Sequence, residues 1–108
     1  MIRVHIERTA DGKVSSFTME GHAGFAEHGH DIVCAGASAV AFGSVNAIMA
    51  LTGIEPAIEQ SESGYLTCSF PDQLPEDTSN HVQLLLEGMI VSLQTIERDY
   101  KSHIKISL

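Results

Sequence analysis

Hydrophobic and polar positions alternate along residues 2 to 8, with Ile2, Val4 and Ile6 on one side and Arg3, His5 and Glu7 on the other. A period of two marks a half-buried strand. Asp11-Gly12 is a hairpin dipeptide, and residues 14 to 21 return as a second strand with Phe17 and Met19 inward. In that phase Thr18, Glu20 and His22 face the other way, which sets His22 at a strand end. From Ile32 to Ile54 the chain runs for 23 residues without a charge. Val33, Ala37, Val40, Ala41, Ser44, Val45 and Ile48 predict the core stripe of a helix ending near Gly53. Its other face, with Ala39, Phe42, Met49 and Ala50, is apolar too. A helix apolar all round is covered on more than one side. In so small a protein the expected second cover is another subunit, so a homodimer is predicted.

After Pro56 the alternation resumes over 57 to 61 and 64 to 70, a second hairpin around Ser63-Gly64. Leu66, Cys68 and Phe70 point inward there, and Tyr65, Thr67 and Ser69 outward. Pro71 to Pro75 reads as a loop. Val82, Leu85, Leu86, Met89, Leu93 and Ile96 then predict a helix from about Asp77 or Ser79 to Tyr100. A last strand, 103 to 108, turns Ile104, Ile106 and Leu108 inward and leaves His103, like His5, outward and solvated. The order β-β-α-β-β-α-β predicts an α+β fold. About five strands form a mostly antiparallel sheet faced by two helices, in a single domain over residues 1 to 108. The pattern does not set the strand order.

Charge narrows the function classes. The net charge is −8, and no Lys or Arg occurs between Lys13 and Arg98, a span holding eleven of the fourteen acids. Nucleic-acid binding needs clustered cations against phosphate, so direct binding is not expected. An acidic surface suits a basic protein or peptide partner. The first residues lack the apolar run of a signal peptide. With only two cysteines, reduced thiols and a cytoplasmic location are expected. The charge-free segment is long enough to span a bilayer. However, Ser38, Gly43, Ser44, Asn46 and Thr52 interrupt it and it is flanked by Asp31 and Glu55, so no membrane span is expected.

Reactive side chains concentrate in residues 20 to 38. Cys34 opens the apolar helix, where the positive end of the macrodipole favours a thiolate nucleophile. His22, just upstream, suits a general base and acid. Backbone N–H groups at the helix start, those of Cys34 and Ala35, are the expected donors to an oxyanion. Asp31 either orients the imidazole or caps the helix. Ser38, one turn beyond Cys34, either bonds near the thiol or back-bonds to its own helix. Cys68, inward and mid-strand, reads as structural. His22, His28, His30, Asp31 and Cys34 would also suffice as zinc ligands, although their spacing matches no common zinc pattern. No Arg follows Cys34 until Arg98, which excludes a cysteine phosphatase. There is no Cys-x-x-Cys pair and no phosphate-binding glycine motif, so no cofactor is expected.

Gly21-His22-Ala23, followed by Gly29-x-Asp31-Ile32-Val33-Cys34-Ala35 and Ser38, resembles the ribosomal-processing cysteine protease family, Prp. The resemblance implies a cysteine endopeptidase that removes the N-terminal extension of the large-subunit ribosomal protein L-twenty-seven. It implies Cys34 as nucleophile and His22 as proton donor and acceptor, with Asp31 and Ser38 in support. It further implies a homodimer and a loop, Ala23 to His30, that moves when the substrate peptide binds. Gly21, Gly24 and Gly29 punctuate that loop region as the expected substrate-contacting glycines. One departure is Gly36-Ala37, where the family more often has Ala-Val. A glycine there loosens the first helical turn by roughly 0.5–1 kcal/mol relative to Ala.

Two other classes stay open at this point. A non-catalytic adaptor would hold a basic ribosomal protein on the acidic face without cutting it. A zinc-dependent hydrolase would use His22, His28, His30 and Cys34.

Overall fold

The computed structural model describes residues 1–62 and 64–108. Two hairpins supply four of the strands: β1 (Ile2–Arg8) with β2 (Val14–Glu20), and β3 (Ala57–Ser61) with β4 (Tyr65–Ser69). Each hairpin is followed by a helix, α1 (Ile32–Thr52) and α2 (Glu76–Asp99), and β5 (Ile104–Ser107) ends the chain. The sheet order is β3-β4-β2-β1-β5. β2 pairs antiparallel with both β1 and β4, whereas β5 joins β1 in parallel. The fold is therefore α+β, with a mixed, mostly antiparallel sheet, as the element order predicts. Ser63, half of the expected second turn, lies outside the described residues.

The alternation along each strand builds the core directly. Ile2, Val4, Phe17, Leu66, Cys68 and Ile104 are buried on one face of the sheet, together with Val33, Ala37, Ala41, Val45 and Ile48 of α1 and Val82, Leu86, Met89 and Leu93 of α2. Each large apolar side chain so buried contributes about 1.5–3 kcal/mol. By length and composition α1 would cross a membrane. Its five core residues instead pack beneath the sheet, while Ile32, Phe42 and Leu51 remain 59%, 39% and 74% exposed.

α2 starts at Glu76, one residue before the expected Asp77. Pro75 precedes its first turn, Ser79 N–H closes on the Pro75 carbonyl at 2.8 Å, and Glu76 and Asp77 complement the helix dipole. Two expectations need correction. Leu108 is not inward: β5 ends at Ser107, and Leu108 is 68% exposed. His103 is neither a strand residue nor simply solvated. It sits half-buried in the turn before β5, with its N–H on the Tyr100 carbonyl (2.8 Å) and its carbonyl accepting from Ile2 N–H (2.9 Å).

Sheet register positions the functional region. Glu20 of β2 pairs with Tyr65 of β4, so the β3–β4 turn lies beside the end of β2. Gly21 N–H then donates to the Gly64 carbonyl at 2.8 Å. Residue 21 has φ +90°, and a Cβ there would collide with the Met1 carbonyl oxygen. Only glycine fits that close approach.

Candidate active site

His22 leaves the sheet immediately after Gly21 and is exposed. Its ring lies on Gly64, where an added Cβ would meet His22 Cε1 at 2.8 Å and Nε2 at 3.0 Å. A bare backbone at residue 64, held at φ +79°, is what leaves room for the imidazole. On its other side His22 makes an edge contact with His28, the ring centroids 5.7 Å apart.

Cys34 stands in the first turn of α1, half-buried. Its sulfur accepts a hydrogen bond from Ala23 N–H at 3.2 Å. The residue directly after His22 therefore touches the thiol with its backbone, with ten residues of chain between them. Ala23 itself is 3% exposed, its methyl group part of the core.

Asp31 resolves in favour of the cap. Oδ1 accepts from Val33 N–H (2.9 Å) and Cys34 N–H (3.0 Å). Oδ2 reaches back to Phe25 N–H (2.9 Å) and Ala26 N–H (3.2 Å). One carboxylate thus starts the helix and folds the loop onto it. Burial alone would push this carboxyl up, but the four backbone donors outweigh it and hold Asp31 below its ordinary value.

The same cap overturns the expected oxyanion donors. Cys34 N–H is engaged by Asp31 Oδ1, and Ala35 N–H by the Asp31 backbone carbonyl at 3.0 Å. The first amides of a capped helix are satisfied by the cap, which removes both from service.

A groove of about 820 Å³ runs past these residues. His22, Asp31, Cys34 and Ser38 border it, as do Gly21, Gly24, Gly29 and His28; His30 does not. Ser38 is exposed, and its hydroxyl has no hydrogen-bond partner among the described residues, so neither expected bond forms. Phe42, on the same helical face as Cys34 and Ser38, extends their side of the groove, and Gln60, Glu62, Tyr65 and Leu66 of the second hairpin supply another wall. Sequence reading missed that wall because it depends on β4 lying next to β2. Among the described residues no three His, Cys, Asp or Glu side chains converge as a metal-holding group.

The second thiol is a contrast. Cys68 is 0% exposed, mid-strand, and burial pushes its pKa up to about 11. Both cysteines are free thiols. One lies at a groove between a helix start and an imidazole; the other is core.

The family model described as cysteine protease Prp matches residues 1–105. The ribosomal processing cysteine protease Prp of Bacillus subtilis (strain 168) is 51% identical over 108 residues, covering 99% of this chain and 96% of the relative. The crystal structure of the ribosomal processing protease Prp from S. aureus with a covalently linked product peptide superposes with a TM-score of 0.89 at 46% identity, covering 99% and 98% of the two chains. The same protease with a substrate peptide gives 0.85 at 45% identity, with the same coverage of 99% and 98%. Matched along almost its whole length in sequence and in fold, the chain belongs to the cysteine protease Prp family.

Proposed function

We propose that this cysteine endopeptidase removes the N-terminal extension of the precursor of ribosomal protein L-twenty-seven, a step needed for ribosome assembly, with Cys34 as nucleophile and His22 as proton donor and acceptor. The observation that carries the reading is the groove bordered by both residues, with Cys34 in the first turn of α1. The thiolate attacks the scissile carbonyl carbon, forming the S–C bond of a tetrahedral intermediate. His22 protonates the leaving amine, then takes a proton from the water that releases the acyl group. Asp31 supports the site from behind, by holding the helix start and the loop root together. The glycines Gly21, Gly24 and Gly29 allow the loop to admit a peptide. Relatives named as ribosomal processing proteases, one of them solved with a substrate peptide, support the substrate class.

The enzyme works in the cytoplasm as a homodimer in this reading, with no direct nucleic-acid contact and no membrane attachment. The uncovered apolar face of α1, with Ile32 and Leu51, supports the dimer. The acidic stretch between Lys13 and Arg98 suits a basic precursor. The test is incubation of wild-type and Cys34→Ala protein with the extended precursor, followed by mass spectrometry. Wild type is expected to release the extension and Cys34→Ala to leave it intact. Cleavage persisting in Cys34→Ala overturns the nucleophile assignment.

A further inference from the structure

Ala23 is gripped on both of its peptide groups. Its N–H donates to Cys34 Sγ at 3.2 Å, and its carbonyl oxygen lies 2.9 Å from His103 Nδ1. A carbonyl has no proton to give, so Nδ1 of His103 carries the proton and donates. The donor itself cannot drift. His103 is fixed through its own backbone to the end of α2, at the Tyr100 carbonyl, and to the start of β1, at Ile2 N–H. Phe25, two residues beyond Ala23, sets its ring edge-on to both His103 (5.3 Å) and Tyr100 (5.5 Å).

We infer that His103 is a positioning residue for the cysteine protease reaction: it holds Ala23 so that the Ala23 N–H is aimed at the Cys34 sulfur and His22 is held at the groove. This rests on the reading of Cys34 and His22 as the reacting pair. The amides of Cys34 and Ala35 are occupied by the Asp31 cap, which leaves the Ala23 N–H as the backbone donor found on the reacting atom. Its neighbour in sequence is the proposed proton carrier, so any swing of residue 23 displaces two reacting groups at once. A shift of about 1 Å in such a group costs up to about a hundredfold in rate. The grip is also insensitive to the charge on the imidazole. Nδ1 donates both in the neutral Nδ1–H tautomer and in the cation, so His103 positions without exchanging a proton.

The experiment compares His103→Asn with His103→Leu. Asparagine presents an N–H close to the place of Nδ1, whereas leucine offers similar bulk and no donor. Three readouts are taken: kcat and KM on a peptide spanning the processing site, the pH profile of kcat, and the Ala23 amide resonance in 15N–1H spectra. His103→Leu is expected to lower kcat about tenfold with KM within about twofold, and to shift the Ala23 amide. His103→Asn is expected to keep kcat within about threefold of wild type, with the shape of the pH profile unchanged. Equal loss in the two variants, or wild-type kcat in a folded His103→Leu, overturns the inference. So does an Ala23 amide that does not respond to His103→Leu. If His103→Leu does not fold, His103→Asp, isosteric with asparagine but without a donor at neutral pH, takes its place in the comparison. The amide readout needs no cleavage, so failure of the grip is told apart from failure of the Cys34 assignment, which shows as cleavage by Cys34→Ala.

Discussion

His22 and Gly64 are in contact across 42 residues of chain, with the imidazole resting where a side chain at residue 64 would stand. The contact exists because β2 and β4 are antiparallel neighbours in the sheet and the end of β2 lies beside the start of β4. Gly64→Ala would place a Cβ at 2.8 Å from His22 Cε1 and would strain a residue held at φ +79°. The strain alone costs on the order of 1–2 kcal/mol. The ring has to move as well, so kcat is expected to fall about tenfold or more. Steady-state kinetics beside urea unfolding separates the two effects. A loss of stability with unchanged kcat would show that the contact does not set the position of His22.

Asp31 joins helix capping to loop folding, and the two tasks are separable by substitution. Asp31→Ser keeps an oxygen for Val33 N–H or Cys34 N–H but cannot reach Phe25 and Ala26 as well. Asp31→Ala loses both sets of bonds. Melting temperature is expected to fall in the order wild type, Asp31→Ser, Asp31→Ala, by several degrees at the last step. Loss of cleavage in Asp31→Ser, in a protein that still melts cooperatively, would assign the activity to the loop clip. Equal melting temperatures for the two variants would show that the cap contributes nothing.

The same carboxylate gives a pH dependence with a definite sign. Its folded-state value lies below the ordinary one, so the unfolded chain binds the proton more readily. The stabilisation is therefore full above the ordinary carboxylate range and is lost as pH falls through the folded value, which lies below that range. Thermal melts from pH 6 downward, at roughly half-unit steps, are expected to show a steeper acid decline in wild type than in Asp31→Asn, which cannot ionise. Parallel curves would place the acid sensitivity elsewhere.

The residues closest in sequence were the ones the sequence disclosed. His22, Asp31 and Cys34 fall within thirteen positions, and local rules for strand ends, caps and helix starts locate each of them. An aspartate cap satisfies the second and third helical amides, so the engagement of Cys34 N–H follows from the same local rule. Gly64 and His103 were not legible. Their roles arise from the β2–β4 pairing and the parallel β1–β5 pairing, which join segments far apart in the chain. Alternation along 104 to 108 extends to His103 and predicts a solvated strand face, whereas β5 begins only at Ile104. No local signal corrects this, because its partner, the Ala23 carbonyl, lies 80 residues away.

The two thiols provide a chemical test that needs no substrate. Cys68 is fully buried and its pKa is pushed up to about 11, so it presents neither access nor thiolate near neutrality. Cys34 is half-buried and opens on the groove. Iodoacetamide at about pH 7 is expected to modify Cys34 alone in the native protein, and both residues only after unfolding. Peptide mapping by mass spectrometry reads the ratio. Native labelling of Cys68 at a comparable rate would mean that β4 opens, and would contradict its place in the core.

Gly36 and Gly21 make opposite predictions for the same substitution. Gly36 lies inside α1, and a Cβ there would meet only Ile96 Cδ1, at an ordinary 3.7 Å. Alanine restricts the unfolded chain and suits a helix interior, so Gly36→Ala is expected to raise stability by about 0.5–1 kcal/mol. Gly21 has φ +90° and no room beside the Met1 carbonyl oxygen, so Gly21→Ala must displace either the start of β1 or the end of β2. The Gly64 bond and the placement of His22 depend on that junction. Urea unfolding is expected to show a higher midpoint for Gly36→Ala and a lower one for Gly21→Ala. Cleavage should survive the first and fall with the second. A stabilised Gly36→Ala that also lost activity would mean that looseness in the first turns of α1, next to Cys34, is itself required for turnover.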